Sequence, residues 1–222
     1  MKRHVIMLLS VLLSLSSLAQ TKEELKDSLD VLKEQLSFAP DSVELRLRKA
    51  SINIQLSQWE YAKYEYDMVL NINPRNLAAL FYRAYVNMRM RRYTFARADY
   101  DRVLTIVPGN YEALLGLAIL NQREGKYTDA IDILNRMTSN FPDSAAVYAA
   151  RADIEKTKEM YELAELDYTE AMRRDPNNQD YILSRADILI RLSRHRDAKK
   201  LLDLLVKQGI PKASLKEYYD RL

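Results

Sequence analysis

The stretch "YTFARADYDRVLTIVP", Tyr93 to Pro108, crowds three aromatic rings, two aspartates and two arginines into one helical-looking run. A catalytic cluster would occur once in a chain, whereas a structural unit recurs. This one recurs: Tyr61 to Pro74 is "YAKYEYDMVLNINP", and Tyr161 to Pro176 is "YELAELDYTEAMRRDP". Prolines at 40, 74, 108, 142 and 176 stand 34 residues apart each time, and Pro211 follows 35 residues after the fifth.

Alignment on the prolines brings alanines into two columns: Ala50, Ala84, Ala118, Ala152 and Ala186, then Ala62, Ala96, Ala130, Ala164 and Ala198. Paired antiparallel helices need small side chains where their backbones approach most closely, and one alanine from each helix meets that need. Ser42, Asn76, Asn110, Ser144 and Asn178 fall two residues after the prolines. All five are N-cap types, placed to start the first helix of each unit. An aromatic column, Trp59, Tyr93, Tyr127 and Tyr161, precedes the second alanine by three residues, with His195 in the same place in the last unit. Tyr66, Tyr100, Leu134, Tyr168 and Leu202, followed three residues later by Val69, Val103, Met137, Ala171 and Leu205, line one face of the second helix.

The full set of columns resembles the tetratricopeptide repeat, a 34-residue helix-turn-helix unit. The resemblance covers five units: 43–76, 77–110, 111–144, 145–178 and 179–212. It implies an all-α, right-handed superhelical solenoid. Residues 20–42 are expected to hold an N-terminal capping helix and 213–222 a C-terminal one, since terminal repeats are commonly atypical. Arg46 departs from the pattern by replacing a large apolar residue, and Gly125 alone keeps the glycine before the aromatic.

The charges follow a rule of their own. One place in the first helix and one 16 residues later change together: Lys49 with Glu65, Arg83 with Asp99, Leu117 with Ile133, Arg151 with Asp167. Matched replacement predicts contact, and therefore ion pairs within a unit. Arg185 faces Leu201 under this rule and is expected to turn to Asp203, whereas Glu124 is expected to be an exposed acid of no structural consequence.

Composition agrees with a helical chain: 222 residues, 48% hydrophobic, 29% charged, with only 4 glycines and 6 prolines. The absence of cysteine excludes disulfides, cysteine nucleophiles and thiolate metal sites. Lys2, Arg3 and His4 precede an apolar run from Val5 to Leu18, and Ser17-Leu18-Ala19 suits signal peptidase, so residues 1–19 are expected to be a signal peptide cleaved near Ala19/Gln20. The apolar run is too short to span a bilayer. The "SLAQ" ending resembles exported proteins of Gram-negative bacteria such as the Bacteroidetes. The expected location is periplasmic or extracellular, with no transmembrane anchor in the mature form. Without Lys2 and Arg3 the formal charge of +3 becomes +1, too weak to argue for nucleic acid.

No phosphate-binding glycine loop, nucleophile elbow or helical His pair occurs, so no enzyme, cofactor or metal is expected. What the resemblance implies instead is a concave groove of first helices that receives a protein or peptide segment. Its expected lining is Phe81, Tyr85, Met88 and Arg89, then Leu115, Ile119 and Arg123, then Asp153 and Asp187, with apolar character giving way to negative charge. A structural assembly part that associates through edges or ends is the competing reading, and oligomerisation is compatible with both. Arg89, Arg91, Arg92, Arg194 and Arg196 fall near the turns between helices, where cations favour the helix dipole or form an anion-binding edge.

Overall fold

The structure, a computed structural model, describes residues 21–222, so the expected signal peptide at 1–19 lies outside the described residues. The described residues form twelve α-helices and one 3-10 turn, with no strand. They belong to two compact units, residues 21–86 and 87–222. The first unit holds α1 (Lys22–Phe38), α2 (Val43–Gln55), α3 (Trp59–Ile72) and most of α4 (Leu77–Arg89). The second holds the end of α4, then α5 (Tyr93–Ile106), α6 (Tyr111–Arg123), α7 (Tyr127–Asn140), α8 (Ala145–Thr157), α9 (Tyr161–Arg174), α10 (Gln179–Arg191) and α11 (His195–Lys207). A 3-10 turn at Lys212–Leu215 and the short α12 (Lys216–Tyr219) complete it. Helices consecutive in sequence pack on one another within each unit, which is the organisation of an all-α solenoid.

Local chemistry starts most first helices as expected. The side chains of Ser42, Asn76, Asn110 and Asn178 accept from the N–H three residues on, at 3.4, 2.9, 2.8 and 3.3 Å. Ser144 differs: its hydroxyl hydrogen-bonds the Tyr111 hydroxyl at 2.7 Å and caps nothing. Each turn between paired helices needs one residue in the left-handed region. Gly125 supplies it at φ 75°, but Ser57, Arg91, Glu159 and Ser193 adopt the same conformation at 57–59° with a Cβ in place. Each such residue costs about 1 kcal/mol, which packing on both sides offsets.

Both alanine columns are sealed, none of the ten more than 1% exposed. Gly116 makes a comparable approach: a Cβ there would lie 2.5 Å from the Tyr100 ring, so the absence of a side chain on α6 is what admits the tyrosine of α5.

Two of the expected intra-unit ion pairs are formed, while Arg83 binds Asp67 of the preceding repeat at 2.7 Å. Lys49 Nζ meets Glu65 Oε1 at 2.6 Å, and Arg151 grips Asp167 with two bonds, Nε at 2.6 Å and the second guanidinium N–H at 2.7 Å. Arg46 is buried too, and it explains its own departure from the repeat: it donates to Glu65 at 2.9 Å and to the Pro40 carbonyl at 2.6 and 3.0 Å. Two expectations need correction. Arg185 binds Glu165 of the preceding repeat at 2.6 and 2.9 Å rather than Asp203, because Asp203 is held by Lys199 and the Tyr219 hydroxyl. Glu124 is no idle surface acid either; it accepts from Arg97 and Lys126.

One column escaped notice in the sequence: Asn53, Asn87, Asn121, Glu155 and Leu189, three residues after the first alanine, all buried. Their carbonyls accept from the N–H of residues 58, 92, 126, 160 and 194 at 2.7–2.8 Å, closing each inter-helix turn. Their side chains fare unequally. Arg97 donates to Asn121 at 2.6 Å, whereas Asn53 Nδ2, Asn87 Oδ1 and Glu155 Oε2 have no hydrogen-bond partner.

Replacing Ala118 or Ala130 with Leu is expected to cost on the order of 1–3 kcal/mol or more by overpacking, while exposed Thr94→Ala changes little. Equal melting shifts for the two kinds of variant would refute the close-approach role. Arg151→Leu and Asp167→Leu should each destabilise more than the double variant, because each alone strands a desolvated charge. A double-mutant cycle measured by denaturant unfolding checks this, and additive losses would contradict it.

Candidate interaction site

The first helices of the second unit expose a cavity of about 420 Å³. Gln122 reaches it from α6, Asp153, Lys156 and Thr157 from α8, Glu159 from the following turn, Tyr161 from α9 and Arg191 from α10. Helical spacing sets Asp153, Lys156 and Thr157 on one face of α8.

Each charge has an identifiable state. Asp153 accepts the hydroxyl of buried Tyr168, whose pKa is raised first by burial and then by the Asp153 charge. Lys156 is turned to Asp187 at 2.8 Å. Asp187 also meets Arg221 at 2.8 Å and Arg191 at 3.4 Å. Burial alone would raise the Asp187 carboxyl, but the bonds from Lys156 and Arg221, with the nearby Arg191 charge, hold it below the usual range. Arg191 in turn donates to the Tyr161 hydroxyl at 3.2 Å, its guanidinium 5.4 Å from the ring centre.

Of the nine residues expected to line a groove, one lines this cavity, Asp153. Asp153 is exposed and lines the cavity, whereas Asp187 is buried beneath it with its charge already matched. Leu115 and Ile119 are half-buried on α6, and Arg123 is exposed at its end. Met88 is buried and Arg89 exposed at the end of α4. In the first unit, Phe81 packs its edge on Tyr82 with centroids 5.2 Å apart, and half-buried Tyr85 meets Trp59 at 6.4 Å. Gln122, Thr157, Glu159, Tyr161 and Arg191 were not expected to share a cavity. Tyr161 belonged to the aromatic column, so periodicity hid the place where it meets Arg191. Among the turn cations of the second unit, Arg194 approaches Glu165 at 3.6 Å and Asp197 at 3.7 Å.

A tetratricopeptide-repeat family model matches residues 87–154. Over those residues the chain carries tetratricopeptide repeats. Among solved structures, a tetratricopeptide-repeat protein from Parabacteroides merdae is 23% identical, over 90% of this chain and 78% of that one, with a TM-score of 0.76. PilW, a type IV pilus biogenesis factor, is 19% identical over 82% and 85% of the two chains, with a TM-score of 0.72. YrrB, a tetratricopeptide-repeat protein with an unusual peptide-binding site, is 14% identical over 86% and 98%, with a TM-score of 0.56. No curated protein matches the chain. At these identities the structural likeness establishes the repeat fold. No described helix is long and apolar enough to cross a membrane.

Behind the cavity of this repeat protein, α8 carries a buried acid. Burial, then repulsion from Asp167, pushes Glu155 up to about 7. The folded state therefore binds a proton that the unfolded chain, with an ordinary glutamate, releases near pH 4.3. The contribution of Glu155 to stability falls as pH rises from about 4.3 to about 7 and is flat above. Glu155→Gln, isosteric with the protonated acid, should stabilise the protein at pH 8 by on the order of 1–3 kcal/mol and hardly at all at pH 4. Urea unfolding at the two pH values checks this; an equal gain at both would assign the effect to packing.

Proposed function

We propose that this repeat protein is a non-enzymatic scaffold that binds a segment of a partner protein on the first-helix face of α6, α8 and α10. The observation that supports the reading is the cavity around Asp153, an exposed carboxylate among side chains already paired with one another. Lys156, Arg191 and Arg221 are all turned to Asp187, so Asp153 and Glu159 are the carboxylates of the lining that hold no cation of their own. A basic side chain fits there, with half-buried Leu115 and Ile119 on α6 offering apolar contact, and charge sets register more than affinity. Tetratricopeptide-repeat proteins generally act through protein binding rather than catalysis, and YrrB is one with a peptide-binding site. The N-terminal pattern of Lys2, Arg3 and the apolar run supports an activity outside the cytoplasm, in the periplasm or beyond.

A second reading, an assembly component that associates through its outer surface, is favoured by Leu163 and Leu166. These residues stand on one face of α9 and are exposed. The likeness to a pilus biogenesis factor is consistent with it.

Ile119→Ser with Asp153→Lys should reduce partner recovery in quantitative affinity capture from envelope extract by about ten-fold or more, with unchanged helical circular dichroism. Leu163→Ser with Leu166→Ser should leave recovery unaltered. The reverse outcome would transfer function to the outer surface.

A further inference from the structure

The buried polar column has one member set in a different neighbourhood. Asn121 is satisfied by Arg97, which stands 24 positions earlier on the second helix of the preceding repeat. For Asn53 the corresponding residue is Leu29 on α1, which offers no hydrogen bond. Asn53 is 2% exposed, and its Nδ2 has no acceptor. A buried donor without a partner is a standing cost, and a ligand that supplies the acceptor removes it.

Beside Asn53 the space is open. A cleft of about 860 Å³ lies among α1, α2 and α3, lined by Leu29, Lys26 and Lys33 of α1, Asn53 of α2, and Tyr61 and Tyr64 of α3. Tyr61 and Tyr64, three residues apart on one helical face, are 68% and 55% exposed. Adjacent exposed rings next to a cleft mark a contact surface rather than a scattered apolar residue. The second unit handles the matching position differently, because Arg97 extends there to Asn121 and Glu124.

Charge narrows the choice of occupant. Glu65, the buried acid of the cleft, is neutralised twice, by Arg46 at 2.9 Å and Lys49 at 2.6 Å. Lys26 and Lys33 hold Glu23 and Asp30 of their own helix, and all four side chains are more than half exposed. Surface pairs of that kind change partners at little cost. Of the lining, the Asn53 amide is the group without an acceptor; Lys26 and Lys33, held by surface acids, can re-pair with a ligand carboxylate, and the lining's other acids, Asp30 and Glu60, stand exposed. Acceptors on an apolar frame complement that amide and the two lysines.

We infer that this cleft is a second binding site, for an acidic partner-protein segment that lays an apolar side chain against Leu29, Tyr61 and Tyr64. Its backbone carbonyl accepts from Asn53, and a carboxylate pairs with Lys26 or Lys33. A protein segment suits it better than a fatty acid, because the lining sets a buried amide donor and lysines beside Leu29 and two tyrosine rings, which peptide groups and side chains can meet together. The site shares no residue with the cavity around Asp153 and stands independently of it.

The probe is the peptide acetyl-Asp-Leu-Phe-Glu-amide, titrated into the isotope-labelled full chain and followed by two-dimensional NMR. Saturable shifts are expected at the Asn53 side-chain amide and along α3. A counterpart with Lys in place of both acids should bind about five-fold or more weakly. Asn53→Leu should weaken binding about ten-fold while remaining folded, since Leu189 occupies the same column place. Tyr61→Ser with Tyr64→Ser, both at exposed positions, should do the same. The absence of a saturable shift at millimolar peptide, equal affinity for the basic peptide, or unchanged binding in both variants would overturn the inference. Tighter binding of octanoate than of the peptide would overturn the protein-segment occupant and assign the cleft to lipid carboxylates.

Discussion

Everything in this molecule rests on how closely two helices can approach. An alanine on each helix of a pair removes the side chains that would otherwise hold the backbones apart, and the neighbouring large residues then interdigitate over the gap. Ala118 and Ala130 are sealed in this way, with Leu134, Met137, Val147 and Ile154 in the same apolar cluster. The glycine at 116 extends the principle to the next interface, where a full tyrosine ring occupies the missing side chain's place. A repeat cannot bury its apolar face alone, so each such approach both builds one unit and shapes the surface on which the next one packs.

Close approach also forces polar groups into the interior, and their satisfaction differs from repeat to repeat. Glu65 has two cations, Asp167 a two-bond arginine, and Asp187 three basic neighbours. Glu155 stands where the three preceding repeats carry asparagine, and with Arg151 committed to Asp167 it has no cation of its own. Carboxylates that share a desolvated region cannot all ionise cheaply, and the one without a dedicated partner holds its proton longest. The array thus stores its exceptions in a single column, behind the face on which the candidate cavity opens.

The repeat was legible because its strongest constraints are steric and periodic. Ten alanines at fixed spacing, a proline every 34 residues and capping residues after each proline record demands that every unit repeats. Matched charges at 16-residue separation were legible for the same reason, since Lys49 and Arg151 meet the partners their spacing assigns. Arg185 was not, because Glu165 comes from the neighbouring repeat and replaces an intra-unit bond with one between units. The conformation of Ser57, Arg91, Glu159 and Ser193 was hidden as well, since glycine marks the left-handed turn only at 125. The candidate cavity was least legible of all: Asp153 was expected in it, but Gln122, Tyr161 and Arg191 come from different columns and converge only in three dimensions.

Recognition in a periodic scaffold has to come from departures from the period. The column of Tyr85, Ile119, Asp153 and Asp187 changes from aromatic to aliphatic to acidic along the chain, while the alanines behind it do not vary. Its two acids are chemically distinct in spite of sharing a column. Asp187 is buried and compensated by Lys156, Arg191 and the C-terminal Arg221, which makes it part of the framework. Asp153 is exposed, and its one intramolecular partner, the Tyr168 hydroxyl, fixes the carboxylate without neutralising it. A neutral donor positions a charge that a cation would cancel, so Asp153 keeps its electrostatic reach toward solvent. The difference between a structural acid and a recognition acid at equivalent places therefore lies in what the chain puts behind each one.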